Sequence, residues 1–308
     1  MPPVPDSFAR FTVLASGSSA NASFLQTTSG GILIDCGLGP RELGQRLAVI
    51  GATWSNVDAI VLTHTHGDHI KSASLAQIHR LKVPFYVHRQ HAEHLAVWCS
   101  DYEALRASGT IRFFEEGSPI SLGEDLLCLP FRVPHDSDPT FGFRFDGFER
   151  TTRKWWSLGY ASDLGHAPKY LNEIFAEVDV LALEFNHDVQ MEQNCGRPKH
   201  LIERVLGSHG HLSNAQAAAF TDELLKARQT PLQALIPLHL SRQCNTPEMA
   251  AMAGRAVLHP ATKLLVAGQM SPTKTVVVAP TKSVQPILSL PDSYVRTARQ
   301  LRIPGMDE

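Results

Sequence analysis

The sequence predicts an α/β protein made of layered sheets covered by helices. Two observations point there. Short apolar runs rich in β-branched residues alternate with amphipathic stretches across residues 8–280. Strands crowd the first half with few helices between them, and strand and helix then alternate in the second half. A third observation, 15 histidines in 308 residues, marks where the layers carry chemistry.

Taken in chain order, strands are expected at 10–15 (RFTVLA), 22–27, 31–34, 59–63 (AIVLT), 84–87, 111–114, 126–133, 141–146, 157–162, 178–184 (VDVLALE), 233–238 and 263–267. Their length and β-branched content favour strand over helix. Helices are expected at 40–50, 68–82, 90–107, 168–176, 198–206, 214–228 and 247–258. Two have readable starts. Ser213 or Asn214 can cap AQAAAFTDELLKA, and Thr246 before Pro247 and Glu248 is a cap followed by proline at the first helical position. No internal repeat and no low-complexity linker divide the chain, so a single domain is expected over 1–280. Residues 281–308 read as a tail or an arm on the surface.

Composition narrows the function. With 43% hydrophobic and 19% charged residues the chain is ordinary globular protein, which excludes whole-chain disorder and collagen-like repeats. Lys and Arg number 28 against 30 Asp and Glu, so a strongly basic, salt-driven nucleic-acid coat is excluded while a local basic groove stays open. No apolar run reaches the ~18–20 residues of a membrane-spanning helix. The opening MPPVPDSFAR has no apolar signal core, so neither membrane insertion nor secretion is expected. The cysteines (Cys36, Cys99, Cys128, Cys195, Cys244) are odd in number and scattered. They argue against a disulfide framework and for a reducing cytoplasm.

The histidines do cluster. Residues 59–70 read AIVLTHTHGDHI. His64 and His66, two apart in extended backbone, point the same way, and Asp68 and His69 follow at the turn into a helix. Two imidazoles with a hard carboxylate suit a borderline divalent ion such as zinc. Further candidate ligands stand wherever an apolar run ends: Asp35 after GILI, His135 after LLCLPFRVP, Asp163 after WWSLGYAS and His239 after ALIPL. Taken singly, each is an ordinary cap or turn residue. Taken jointly, polar side chains at one end of adjacent strands converge on one rim.

HTHGDH, His135, Asp163 and His239, in the order Asp, HxHxDH, His, Asp, His, resemble the metal motifs of the metallo-β-lactamase superfamily over about residues 10–270. The resemblance implies a four-layer αββα sandwich with a two-metal site at its edge. It implies that His64, His66 and His135 hold one ion, that Asp68, His69 and His239 hold the other, and that Asp163 bridges them. Asp35 would orient a ligand imidazole. The antibiotic-hydrolysing enzymes usually carry cysteine at the bridging position, so Asp163 disfavours a lactamase. About 75 residues separate Asp163 from His239, too few for a β-CASP cap.

VLASGSSANA, HDSDPTFGF, YASDLG, LALEFNHDVQM, GSHGHLSNAQAA and LHLSRQCNTPE resemble the bacterial YycJ/WalJ-type branch, single-domain DNA exonucleases acting from the 5′ end. GHLSNAQAA and LHLS also resemble motifs of ribonuclease Z. One departure is SGSSAN, with Ala20 where the branch usually has glycine. The resemblance implies a phosphodiesterase on nucleic acid, DNA before RNA, with two divalent ions (zinc, or else manganese or iron) supplying a hydroxide nucleophile. Asp68 would bind metal and orient or deprotonate that water. His211, just before a capped helix, would protonate the departing sugar oxygen. Glu184 would orient it, with Asp188 a competing partner. Ser18 and Asn21 in the SGSSAN loop, with His187 and Ser241, are candidate substrate contacts, each with an ordinary turn or capping role as the alternative.

FERTTRKWW (148–156) suits a single-strand contact through cations and tryptophans, or else a charged turn with core tryptophans behind it. His79, His88, His91, His94, His200 and His259 read as surface or packing residues. A second reading of the whole is a small-molecule hydrolase on the same fold, acting on a cyclic phosphodiester or a thioester. An inert binding module is the third.

Overall fold

The computed structural model describes residues 8–137, 139–283 and 289–294. Two seven-stranded mixed sheets face each other. The first is built from β1 (Ala9–Ala15), β2 (Ala22–Thr27), β3 (Gly30–Ile34), β4 (Ala59–Val61), β5 (Phe85–His88), β6 (Ile111–Phe114) and β14 (Val276–Val278), in the order β14-β1-β2-β3-β4-β5-β6. The second holds β7 (Ile120–Gly123), β8 (Leu126–Val133), β9 (Thr140–Glu149), β10 (Lys154–Ala161), β11 (Val180–Glu184), β12 (Ala234–Leu238) and β13 (Lys263–Leu264), ordered β13-β12-β11-β10-β9-β8-β7.

Apolar side chains divide by face, as strand alternation requires. Phe11, Val13, Ile32, Ile34 and Val61 of the first sheet meet Phe141, Phe143, Phe145, Leu158 and Ile236 of the second in a shared core. The other face of the first sheet packs against α1 (Pro40–Val49), α2 (Ser72–Leu81), α3 (Arg89–Trp98) and α4 (Tyr102–Ala107). The outer face of the second packs against α5 (Tyr170–Ile174), α8 (Asn214–Lys226) and α9 (Pro247–Arg255). This is the four-layer αββα sandwich, the metallo-β-lactamase fold in one domain.

Strand direction places the chemistry. β3 and β4 are parallel, as are β10, β11 and β12. β8 and β10 both run antiparallel to β9, so they too share a direction. The segments carrying Asp35, His64, His135, Asp163, Glu184 and His239 all leave the C-terminal ends of such strands, where layered αβ folds build their sites.

Several expected elements differ. Helix 68–82 begins only at Ser72, because the carbonyls of Asp68 and His69 are taken by the amides of Asn21 (2.7 Å) and Cys36 (2.7 Å). The 90–107 stretch is two helices, broken at Cys99–Asp101. Ser213, not Asn214, caps α8; its hydroxyl accepts the Gln216 amide. Strands β7 and β14, and the helices α6 (Val189–Asn194) and α7 (Lys199–Leu206), complete the chain; of these only α7 was expected. Strand 263–267 shortens to two residues.

FERTTRKWW is the charged turn. Arg150 pairs with Asp125 at 2.6 Å and Glu124 at 2.8 Å, and Trp156 is buried in the shared core. It lies at the opposite end of β10 from Asp163, roughly 25 Å away at strand rise, so it does not face the rim. Of the expected arm, Lys282 bridges to Trp155 and reaches Asp179 (2.8 Å), while Tyr294 is buried against Tyr170. Residues 284–288 and 295–308, the remainder of that arm, lie outside the described residues, as do 1–7.

His88 and His91 are packing residues, both stacked near Phe141. His91 Nε2–H donates to the Pro139 carbonyl at 2.8 Å, and burial pushes its pKa down to about 3. The unfolded imidazole titrates near 6.5. Between those values the unfolded chain binds the extra proton, so stability falls as pH falls through this window. From pH 7 to pH 5 the native protein loses as much as about 2 kcal/mol more than His91→Leu. Urea midpoints at both pH values measure this; identical pH slopes for the two proteins would show that His91 takes up its proton without cost.

Candidate metal centre

The expected ligands meet. His64, His66 and His135 form one group whose ligand atoms lie within 4.8 Å of one another. Asp68, His69 and His239 form a second. Asp163 belongs with His64 and His69, and also with Glu184, His211 and His239, so it stands between the groups. Imidazole ring centroids are 4.6 Å apart for His64 and His66 and 5.4 Å for His64 and His135.

Backbone geometry aims three of these residues. Asp35, Asp163 and His239 have φ of 62°, 58° and 54°, the left-handed region, each just past the end of its strand. Asp and His tolerate this conformation better than most residues, but it still costs on the order of 1–3 kcal/mol each. Hydrogen bonds hold it. His239 N–H donates to Ser16 Oγ at 2.8 Å, and the Asn186 amide group donates to the His239 carbonyl at 2.7 Å.

The rings are oriented from behind. His69 Nδ1 lies 2.7 Å from Asp35 Oδ2, which turns Nε2 toward Asp163 (3.2 Å). Asp35 also accepts the Thr63 amide at 2.8 Å, and Thr63 Oγ1 touches both His64 Nδ1 and His69 Nδ1 at 3.1 Å. His135 Nδ1–H donates to the Gly210 carbonyl (3.0 Å), leaving Nε2 as its bare nitrogen. Fixing one ring nitrogen so that the other faces inward is how proteins prepare metal ligands. Gly37 is required by a close approach: a Cβ there would lie 1.7 Å from the Asp68 carbonyl oxygen.

The electrostatics fit divalent cations. Burial pushes His64, His66 and His135 down, so these imidazoles are neutral and able to ligate. Burial alone would raise Asp163, yet the His239 and His69 imidazoles hold it well below the carboxylate range. In return, and against the effect of burial, Asp163, Asp35 and Asp68 hold His69 well above its ordinary value, and Asp163 leads the groups that raise His239 to about 10. Ionised buried carboxylates here draw positive charge onto neighbouring rings, and metal ions supply that charge without protons. His64 Nε2, fully buried, has no hydrogen-bond partner among the described residues. The donor set therefore fits a two-metal site.

At the rim, His211 Nδ1 lies 2.8 Å from Glu184 Oε1, and the same oxygen lies 3.0 Å from His239 Nδ1. Glu184 Oε2 accepts the amides of Leu164 and Leu212, each at 3.0 Å. Burial opposes charge on both groups, but their attraction holds Glu184 down to about 2 and His211 above its ordinary value. Asp188 does not compete for His211; it caps α6 through the Met191 amide at 2.9 Å.

Two expected substrate contacts are corrected. Asn21 is buried, and its amide group donates to Asp68 Oδ2 (3.1 Å) while its Oδ1 accepts Gly17 N–H (3.0 Å). It ties the SGSSAN loop to the ligand loop and presents nothing to a substrate. His187 is 1% exposed, so no substrate reaches it, and neither ring nitrogen has a hydrogen-bond partner among the described residues. Ser18 is exposed, and Ser241 lines an adjoining cavity. Thr63 and Asn186 went unread in the sequence, although both sit inside quoted motifs, LTHTH and EFNHD. Cys195, Glu192 and Cys244 form a separate cluster in which Arg197 holds Glu192 at 3.2 Å and burial raises Cys244 to about 12.

A sandwich carrying clustered His and Asp donors on the C-terminal rim of its strands defines a metal-dependent hydrolase of the metallo-β-lactamase fold. The chain belongs to that superfamily: its beta-lactamase superfamily domain matches residues 31–239. Over 243 residues the chain is 28% identical to exodeoxyribonuclease WalJ of Streptococcus pneumoniae serotype 2, covering 79% of this chain and 86% of that one. It is 26% identical over 252 residues to exodeoxyribonuclease YycJ of Bacillus anthracis, covering 80% and 88%. The metallo-beta-lactamase fold protein YhfI from Bacillus subtilis superposes with a TM-score of 0.61 at 15% identity, over 86% of this chain and 98% of YhfI. The motif resemblance to the YycJ/WalJ-type branch thus holds as distant kinship. Among the described residues no helix is long and apolar enough to cross a membrane.

Asp163→Ala is expected to lose at least one of two bound ions, read by elemental analysis of protein purified with manganese or zinc. Full occupancy in that variant would contradict the bridging position.

Proposed function

We propose that the chain is a two-metal phosphodiesterase that degrades nucleic acid, DNA before RNA, from the 5′ end. The observation that carries this reading is the Glu184–His211 pair. His211 stands 5.1 Å from His135 and 5.2 Å from His239, ring to ring, and its Nδ1 is held on a fully buried carboxylate. A departing sugar alkoxide needs a proton; a thiolate leaves without one. The naming of both curated relatives as exodeoxyribonucleases supports DNA as the substrate.

His64, His66 and His135 would hold one ion, and Asp68, His69 and His239 the other, with Asp163 shared. When bound, such ions lower the pKa of a water and neutralise phosphate oxygens as negative charge builds. Asp68, its side chain 22% exposed and steadied by Asn21, orients the attacking water and accepts its proton. His211 delivers a proton to the leaving oxygen, and Glu184 holds the ring in place. Asp35 keeps the His69 ring turned inward.

The test is digestion of end-labelled single- and double-stranded DNA and RNA with manganese or zinc supplied, beside a His64→Ala control. Loss of label from the 5′ end of DNA is expected. Thioester hydrolysis with no phosphodiester turnover would move the chain to the small-molecule reading.

His211→Ala is expected to keep both ions and to slow DNA cleavage by about 10²–10⁴-fold. On a p-nitrophenyl phosphodiester, whose leaving group needs no proton, the loss is smaller. Equal losses on both substrates would remove His211 from proton delivery.

A further inference from the structure

On the Asp68 and His239 flank of the metal cluster lies a cavity of ≈ 690 Å³. Pockets that enclose a small organic ligand span about 300–1,000 Å³. The cavity adjoins the cluster. Ser16, which accepts the His239 amide, and Gly37, which stands against the Asp68 carbonyl, both line it.

Its walls carry two kinds of chemistry. Leu38, Leu240 and Met270 are apolar, and Met270 is 83% exposed. Lys71 and Arg242 are exposed cations, three residues beyond Asp68 and His239 respectively. Neither side chain makes a hydrogen bond or ion pair among the described residues. The acid on the same wall, Glu42, is already held by Arg46 at 2.8 Å. Arg150 and Arg204, by contrast, are held by acids: Arg150 by Asp125 and Glu124, and Arg204 by Asp136. Two unopposed positive charges above an apolar wall complement a group that is anionic at one end and flat and apolar at the other.

We propose that this cavity receives the 5′-terminal nucleotide of a DNA strand, with Lys71 and Arg242 on its terminal phosphate and the apolar wall under its base. The proposal rests on the phosphodiesterase reading and adds what selects a strand end. A terminal phosphomonoester carries about −1.5 to −2 charges at neutral pH, against −1 for an internal diester. Two cations therefore favour the end over the interior, and the preference weakens as salt screens it.

Binding of a fluorescent single-stranded oligonucleotide, with EDTA present to prevent cleavage, is compared with and without a 5′-phosphate. The wild type is expected to bind the phosphorylated strand on the order of tenfold more tightly. Lys71→Met with Arg242→Met brings that ratio to about one, while Lys154→Met, at the far end of β10, keeps it. Equal affinity of the wild type for both strands overturns the proposal, as does a preference that survives in the double variant. Deoxynucleoside monophosphate is expected to displace the strand, and an acyl thioester is not; the reverse order assigns the cavity to another ligand class. Failure of the phosphodiesterase reading shows separately, as absent hydrolysis of every phosphodiester.

Discussion

The structure turns on a concentration of buried negative charge at one rim of the sandwich. Asp35, Asp163 and Glu184 are almost wholly excluded from water, and Asp68 is largely so. Carboxylates in such a place persist as anions only when positive charge and hydrogen-bond donors surround them. Everything nearby answers that demand. Thr63, Asn21, Leu164 and Leu212 donate hydrogen bonds, and His69, His211 and His239 take up positive charge. The cluster is thus a cation site before any chemistry is considered.

This demand explains features that local preference does not. Three residues accept left-handed backbone at strand ends because only that turn swings Asp35, Asp163 and His239 inward. Cross-links between distant segments offset the strain: Ser16 to His239, Asn21 to Asp68, Asn186 to His239. Ser16 to His239 joins the two sheets, while the other two tie strand ends within one sheet. Metal affinity and folding are therefore coupled, since no ligand group exists without the sandwich. Glu184 carries the coupling furthest. One of its oxygens serves both His239 and His211, so the carboxylate that steadies a candidate ligand also sets the charge of the proposed proton donor.

The site was legible in the sequence because its residue types are costly without a role. HTHGDH and the single polar residues after apolar runs announce themselves by chemistry, not by periodicity. The layered class was legible for the same reason that strands alternate: their faces are buried on both sides. Elements set by distant partners were not. β14 pairs with β1, some 260 residues earlier, and although TVVVAP is β-branched, its three-residue run before a proline is too short to stand as a strand without that partner. The first residues of the expected helix 68–82 carry helical period but are claimed by Asn21 and Cys36 across the fold. Asn21 and His187 were misread as substrate contacts because polarity in a motif signals a role without saying whether the side chain faces the solvent or supports a neighbour.

Charge placement then bears on recognition. The chain is almost neutral overall, so no general field draws a polyanion to it. The turn at 150–153 holds Arg150 between acids, at the end of the sandwich remote from the ligands. Lys71 and Arg242 instead follow directly on the two loops that carry Asp68 and His239. Their positions relative to the cluster are thus inherited from the ligand loops, and any shift of the metal site moves them with it. Under the proposed function, anionic substrate is recognised at the cluster itself and at short range. Selectivity then comes from the shape and charge of what fits beside the metals, not from attraction to a long strand.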